Sequence, residues 1–154
     1  MIYYATILLT MVILPVASIA YEMPSITSFG TFLLVGLKWF AFWAVGVRLV
    51  LAGVTQVVRP RFTVKGILGF DEPRAYVLAQ ELGFANIALG LAGLLSMLFA
   101  SWSLPVAFAG GVFLGLAGIN HWFRPGRTMR ENVAMISDLW AALILLLAFV
   151  FSLF

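Results

Sequence analysis

Apolar positions run almost without interruption through five stretches of the chain, Ile2–Ala20, Phe29–Val58, Ala75–Ala100, Pro105–Phe123 and Glu131–Phe154, and polar positions gather mainly between them. Each stretch is long enough to cross a ~30 Å hydrocarbon core as a helix, which takes about 20 residues at 1.5 Å per residue. Several are apolar nearly all round, as expected of helices that face lipid. The pattern predicts an all-α fold: an integral membrane bundle of five transmembrane helices forming one domain over residues 1–154.

The connecting segments supply orientation. Tyr21–Ser28 holds Glu22 and no basic residue, and Ser101–Leu104 is uncharged. Arg59, Arg61, Lys65 and Arg74 fall between the second and third stretches, and Arg124, Arg127 and Arg130 between the fourth and fifth. Loops rich in Lys and Arg stay on the cytoplasmic side. This alternation predicts a membrane protein with a cytoplasmic N-terminus and an outside or periplasmic C-terminus. Tyr21 and Trp102 then sit at the outer rim, where interfacial aromatics belong.

The first stretch has no basic residue ahead of it, so it reads as a retained helix and not a secretory signal. A bend is expected near Pro15, whose ring removes one backbone donor. Thr128-Met129-Arg130-Glu131 has the form of a capping box for helix five. Asp71-Glu72-Pro73 suits the start of helix three, and Ser103-Leu104-Pro105 that of helix four. The segment Phe62–Phe70 mixes apolar residues with glycines and is expected along the inner interface.

Composition agrees with the pattern. Hydrophobic residues make up 64% and charged residues 10%, against about 45–50% and 25% in soluble domains. The net charge of +3 is sorted by topology, not gathered into a surface for nucleic acid. Cysteine is absent, which excludes disulfides, thiolate catalysis and Cys-ligated metal.

Polar groups inside the stretches carry the candidate chemistry, because each is costly in lipid without a partner or a water path. Arg48 lies about ten residues from the inner end of helix two, on a seam with Ala41, Val45, Ala52 and Thr55. Asp138 on helix five shares a seam with Glu131, Ala134 and Ala141, and an Arg48–Asp138 pair would neutralise both charges. Glu81, Asn86, Asn120, His121 and Asn132, with Gln56, are expected at one level toward the cytoplasmic half, forming a single polar cluster that opens inward. These groups could equally serve only to tie helices together, at about 0.6 kcal/mol per hydrogen bond. One histidine with scattered acids lacks metal-ligand spacing, and no Ser–His–acid order is present.

Gly111 and Gly115 form a GxxxG pair continued by Gly118, and helix three carries Gly83, Asn86, Gly90 and Gly93 on one stripe. Such stripes allow close backbone approach. Packing of helix three against helix four within the chain is the expected use, ahead of homo-oligomerisation.

Arg48-Leu49-Val50-Leu51-Ala52-Gly53, the amphipathic segment, Gln80-Glu81-Leu82-Gly83 with Gly90, and Leu104-Pro105 before a glycine-rich helix together resemble the DoxX-like small membrane proteins. Asn120-His121 and Glu131-Asn132 with Asp138 resemble uncharacterised bacterial relatives. The resemblance covers helices two to five and implies a four-helix core with an added N-terminal helix. It also implies an inner-membrane component, in some relatives attached to quinone-linked sulfur oxidation or to oxidative-stress enzymes. The lack of cysteine argues against direct sulfur chemistry in this chain.

No catalytic constellation or cofactor fingerprint appears, so enzyme activity is not predicted. The leading expectation is a non-catalytic component whose inward-opening cleft binds a membrane lipid, a quinone or a partner membrane subunit. The alternatives are a small ion- or proton-coupled transporter with Arg48, Glu81 and Asp138 as a relay, and a membrane subunit of a quinone-linked oxidoreductase.

Overall fold

The computed structural model describes all 154 residues and contains helices only. Five of them are long and apolar enough to span a membrane: α1 (Ile2–Ser25), α2 (Phe29–Val58), α3 (Ala75–Leu95), α4 (Ala100–Phe123) and α5 (Met129–Phe151). α2 is central and packs against the other four, while α4 and α5 form a close pair. Met11, Leu37, Val45, Leu49, Leu114 and Leu145 lie at the centre of the core.

The N-terminus and both basic segments occupy one end of the bundle. There the Tyr3 hydroxyl donates to the Arg130 carbonyl at 3.0 Å, and the Tyr3 ring stands 6.1 Å from that of Phe62. At the other end Phe29 meets Phe151, and Tyr21 and Trp102 are exposed. We call these the basic end and the opposite end.

Several helix limits differ from the expected ones, among them both ends of α5, expected over Glu131–Phe154. α1 continues past Ala20 to Glu22 before a 3-10 turn ends it at Ser25. α3 stops at Leu95, because the chain must reverse before Ser103, where regular α-helix resumes. Pro105 therefore sits within the first turn of that helix, where a missing amide costs nothing.

Backbone polar groups freed inside the bundle find partners. Pro15 cannot donate to the Met11 carbonyl four residues back; the Trp140 indole donates to that carbonyl instead, at 3.2 Å. The turn before it, Leu9–Ile13, is π-helical, as is Ala41–Val47 in α2 immediately before Arg48, and the two π segments pack against each other.

Glycines set the helix seams, with partners other than those expected. A Cβ on Gly53 would stand 2.5 Å from the Gly83 carbonyl, and one on Gly93 would stand 2.5 Å from the Gly46 amide. Helix three therefore lays its stripe on α2, backbone against backbone. On α4, Gly111, Gly115 and Gly118 face Leu146, Ala142 and Leu139 of α5, and Gly110 faces Val45 of α2. The packing is within the chain, but neither stripe pairs with the other.

The segment after α2 folds back onto the bundle as the π-helical turn Phe62–Ile67, with Thr63 and Val64 buried. Its carbonyls are gripped from the far loop: Thr128 donates to Ile67 at 2.6 Å, Arg124 to Leu68 at 3.0 Å and Arg130 to Gly66 at 3.1 Å.

Candidate functional site

The polar residues do not form one cluster. They meet at separate helix seams. Between α2 and α5, Arg48 donates to Asp138 at 2.5 Å, with both side chains largely buried. Between α2 and α3, the Asn86 amide donates to Gln56 at 2.6 Å, and its own oxygen is buried without a partner. Between α4 and α5, Glu131 is wholly enclosed; one of its oxygens meets His121 Nδ1 at 2.8 Å and Arg124 at 3.0 Å, and the other has no partner.

Helical phase explains who is in and who is out. Successive residues turn about 100° around an α-helix. Asn86 lies on the buried stripe of Gly83, Gly90 and Gly93. Glu81 precedes Gly83 by two residues, about 200° away, and it is exposed on the outer surface with no polar partner. The same step separates Asn120 from Gly118: Asn120 faces outward, while His121, one residue on, turns back toward α5. Glu81 and Asn120 therefore drop out of the expected cluster. Glu81 cannot serve an internal relay from where it stands.

Asn132 accepts from Arg127 Nε at 2.9 Å, and Arg127 also donates to the carbonyls of His121, Trp122 and Arg124. Those carbonyls belong to the end of α4, where intrahelical donors run out. The capping box at α5 is half formed. Thr128 accepts from the Glu131 amide at 3.1 Å, but the Glu131 carboxylate has turned away to His121 and Arg124 instead of closing the box. Glu72 takes the Arg74 amide at 3.1 Å, whereas Asp71 is drawn to Lys65, Arg61 and the Tyr76 hydroxyl.

A carboxylate only accepts, so His121 Nδ1 carries the hydrogen in its contact with Glu131, and in the neutral ring Nε2 is then the acceptor. That nitrogen has no protein partner and is not enclosed. Arg124 beside it is part exposed. The network thus shows the interface one acceptor and one cation. Asp138 lies two turns deeper on α5 than Glu131, about 10 Å at helical rise. Charges therefore step along α5 from the basic end toward mid-bundle.

A further ion pair escaped the sequence reading. Lys38 of α2 meets Glu22 of α1 at 2.5 Å, and the Trp39 indole donates to the same oxygen at 3.1 Å. Its signal was available: a lysine within an apolar stretch needs an acid, and Glu22 is the only one before it.

Two apolar recesses flank the bundle, and neither is lined by the polar seams. One of about 290 Å³ lies among Leu33, Leu34, Leu104 and Phe151 at the opposite end. The other, of about 180 Å³, lies between the Phe62–Phe70 segment and α3. The polar residues expected to line one inward-opening cleft pair instead across separate seams.

The model of a family of unknown function, DUF6790, matches residues 1–153. The chain belongs to DUF6790. This match takes in α1, so all five helices lie within the family's shared unit. No curated protein and no solved structure matches the chain. In this DUF6790 chain the acids and His offer no metal-binding group of three or more.

Proposed function

We propose that the chain is a non-catalytic binding component of the bacterial inner membrane, with its N-terminus and basic end cytoplasmic and its C-terminus outside. It takes the head group of a lipid or quinone, or a polar residue of a partner subunit, at the α4–α5 seam. The observation that carries this reading is the orientation of His121. Glu131 fixes its tautomer, which leaves Nε2 as an accessible acceptor beside Arg124 at the interfacial level. A carboxylate bonded to one ring nitrogen orients an imidazole so that the other can bind, as it does for metal-ligating histidines. The DoxX-like resemblance suggests the same setting.

The chain has a single histidine, so nitrogen-resolved NMR of labelled protein in nanodiscs reads this group alone. The neutral Nδ1–H tautomer is expected, with a shift at Nε2 when decylubiquinone or extracted membrane lipid is added, and loss of the fixed tautomer in Glu131→Gln. An Nε2–H tautomer that no added amphiphile disturbs would overturn the reading.

A second reading, a proton-coupled transporter, draws on Glu131 and Asp138 along α5, on His121 of α4 against Glu131, and on the unpartnered Glu131 oxygen. It predicts proton movement into proteoliposomes that Asp138→Asn abolishes. Equal flux in wild type and variant would remove it.

A further inference from the structure

The segment between α2 and α3 combines two features on one surface. Its recess of about 180 Å³ is walled by Val64, Leu68, Phe70, Leu78, Ala79 and Leu82 and is nearly free of polar lining. Phe70 is exposed beside it. Around it stand cations that the fold does not use up. Lys65 and Arg61 share one carboxylate, Asp71, while Arg59 and Arg74 are exposed and have no partner. Four cations therefore face two carboxylates, Asp71 and Glu72, and one of the two is already divided. Glu81 lies further along α3, about 9 Å past Ala75 at helical rise, below the level of these cations.

At the other basic loop Arg124, Arg127 and Arg130 each donate to backbone carbonyls, so their donors, though not their charge, are taken up by the fold. An apolar slot opening under unspent cations, next to a helix that faces lipid, has the chemistry to hold one acyl chain and one phosphate.

We propose that the Arg59–Leu82 surface is a binding site for an anionic phospholipid, with one acyl chain in the recess and the phosphodiester on Arg61, Lys65, Arg59 and Arg74. The site borders the His121 seam through Arg124, which donates to the Leu68 carbonyl and stands over the Phe70 ring, but its cations and recess residues are not those of that seam. Charge complementarity selects the anionic head group, and the slot selects a chain-bearing ligand over free phosphate. Attraction of basic segments to anionic lipid weakens with salt.

The test is native mass spectrometry of the full chain in detergent, titrated with phosphatidylglycerol and with phosphatidylcholine of identical chains. Phosphatidylglycerol should bind at least tenfold more tightly. The Arg61→Gln/Lys65→Gln variant should lose most of that preference, at about fivefold per cation removed. Leu78→Trp, which fills the slot, should weaken both lipids. Should the first variant fail to fold, Arg59→Gln/Arg74→Gln replaces side chains without partners and carries the same expectation. Equal affinity for the two lipids, an unchanged preference in the charge variants, unchanged binding in Leu78→Trp, or displacement of the lipid by millimolar inorganic phosphate would each overturn the proposal. None of these outcomes involves the His121 signal.

Discussion

The two basic loops look equivalent in the sequence and are put to opposite uses in the fold. Between α4 and α5, every arginine makes a structural contact, and Arg124 also keeps part of its surface exposed. Arg127 closes three carbonyls at the end of α4, Arg130 reaches the Gly66 carbonyl with Phe62 under its guanidinium, and Arg124 joins Glu131 to the Leu68 carbonyl. Between α2 and α3, the cations lie on the surface with one shared carboxylate among them. Charge sorting accounts for which end both loops occupy, but it is blind to this difference. A planar five-donor guanidinium can satisfy several carbonyls at once, so arginine beside a helix C-terminus can be a cap as well as a topological signal.

The comparison needs a scale, and the buried pair between α2 and α5 provides it. Breaking a buried ion pair from one side costs about 3–5 kcal/mol, because the remaining charge is left without compensation. Arg48→Ala and Asp138→Ala should each show the largest losses of thermal stability in detergent among these variants, with part of the loss recovered in the double variant. Glu81, exposed on the outer face, should show no coupling to Arg48. Additive losses for Arg48 with Asp138 would remove the pair as a unit.

Next in size is the clamped loop. Arg127→Ala leaves the end of α4 short of donors and should cost about 1–3 kcal/mol, the range for unsatisfied buried acceptors and charged hydrogen bonds. Arg127→Lys should rescue little, since an ammonium cannot reproduce the fork. Arg61→Ala and Lys65→Ala, by contrast, should leave thermal stability within error, as exposed ion pairs generally do. If the two loops respond alike, the division between structural and free cations fails.

How much of this was legible beforehand follows from what sequence periodicity records. The spans and the sharing of one end by the basic loops were readable, because hydropathy and charge depend on position along the chain alone. The Arg48–Asp138 contact was readable as well, since only two buried opposite charges stood near mid-bundle on small-residue seams. Partner identity was not. The α3 stripe is plain in the sequence, yet nothing in its spacing says that it meets Gly46 and Gly53 of α2 instead of α4. The outward phases of Glu81 and Asn120 were available from the glycines two residues away and passed unused. The arginine clamps and the Trp140 bond to Met11 depend on backbone carbonyls, which every residue has and no sequence pattern marks.

The smallest expected effect concerns acid, and it sharpens the view of the free loop. Hydrogen bonds from Lys65 first, then Tyr76 and Arg61, hold the Asp71 carboxyl well below the usual carboxylate range. A depressed pKa in the folded state means that the linked contribution is fully present above the unfolded value of about 3.9 and declines progressively as pH falls from there to the folded value, although the folded carboxyl itself stays ionised over that range. The loop contacts should therefore survive mild acid. The chain has two aspartates, Asp71 and Asp138, so aspartate-selective carbon labelling gives two carboxyl signals. The Asp71 signal should stay unprotonated at pH 3.5 in wild type. Lys65→Gln should raise its midpoint more than Arg61→Gln, following the order of the two hydrogen bonds. In anionic nanodiscs, competition from lipid phosphate for Lys65 and Arg61 should move the midpoint toward the ordinary range. A wild-type midpoint near 4 in detergent would show that Asp71 does not hold these cations, leaving all four free.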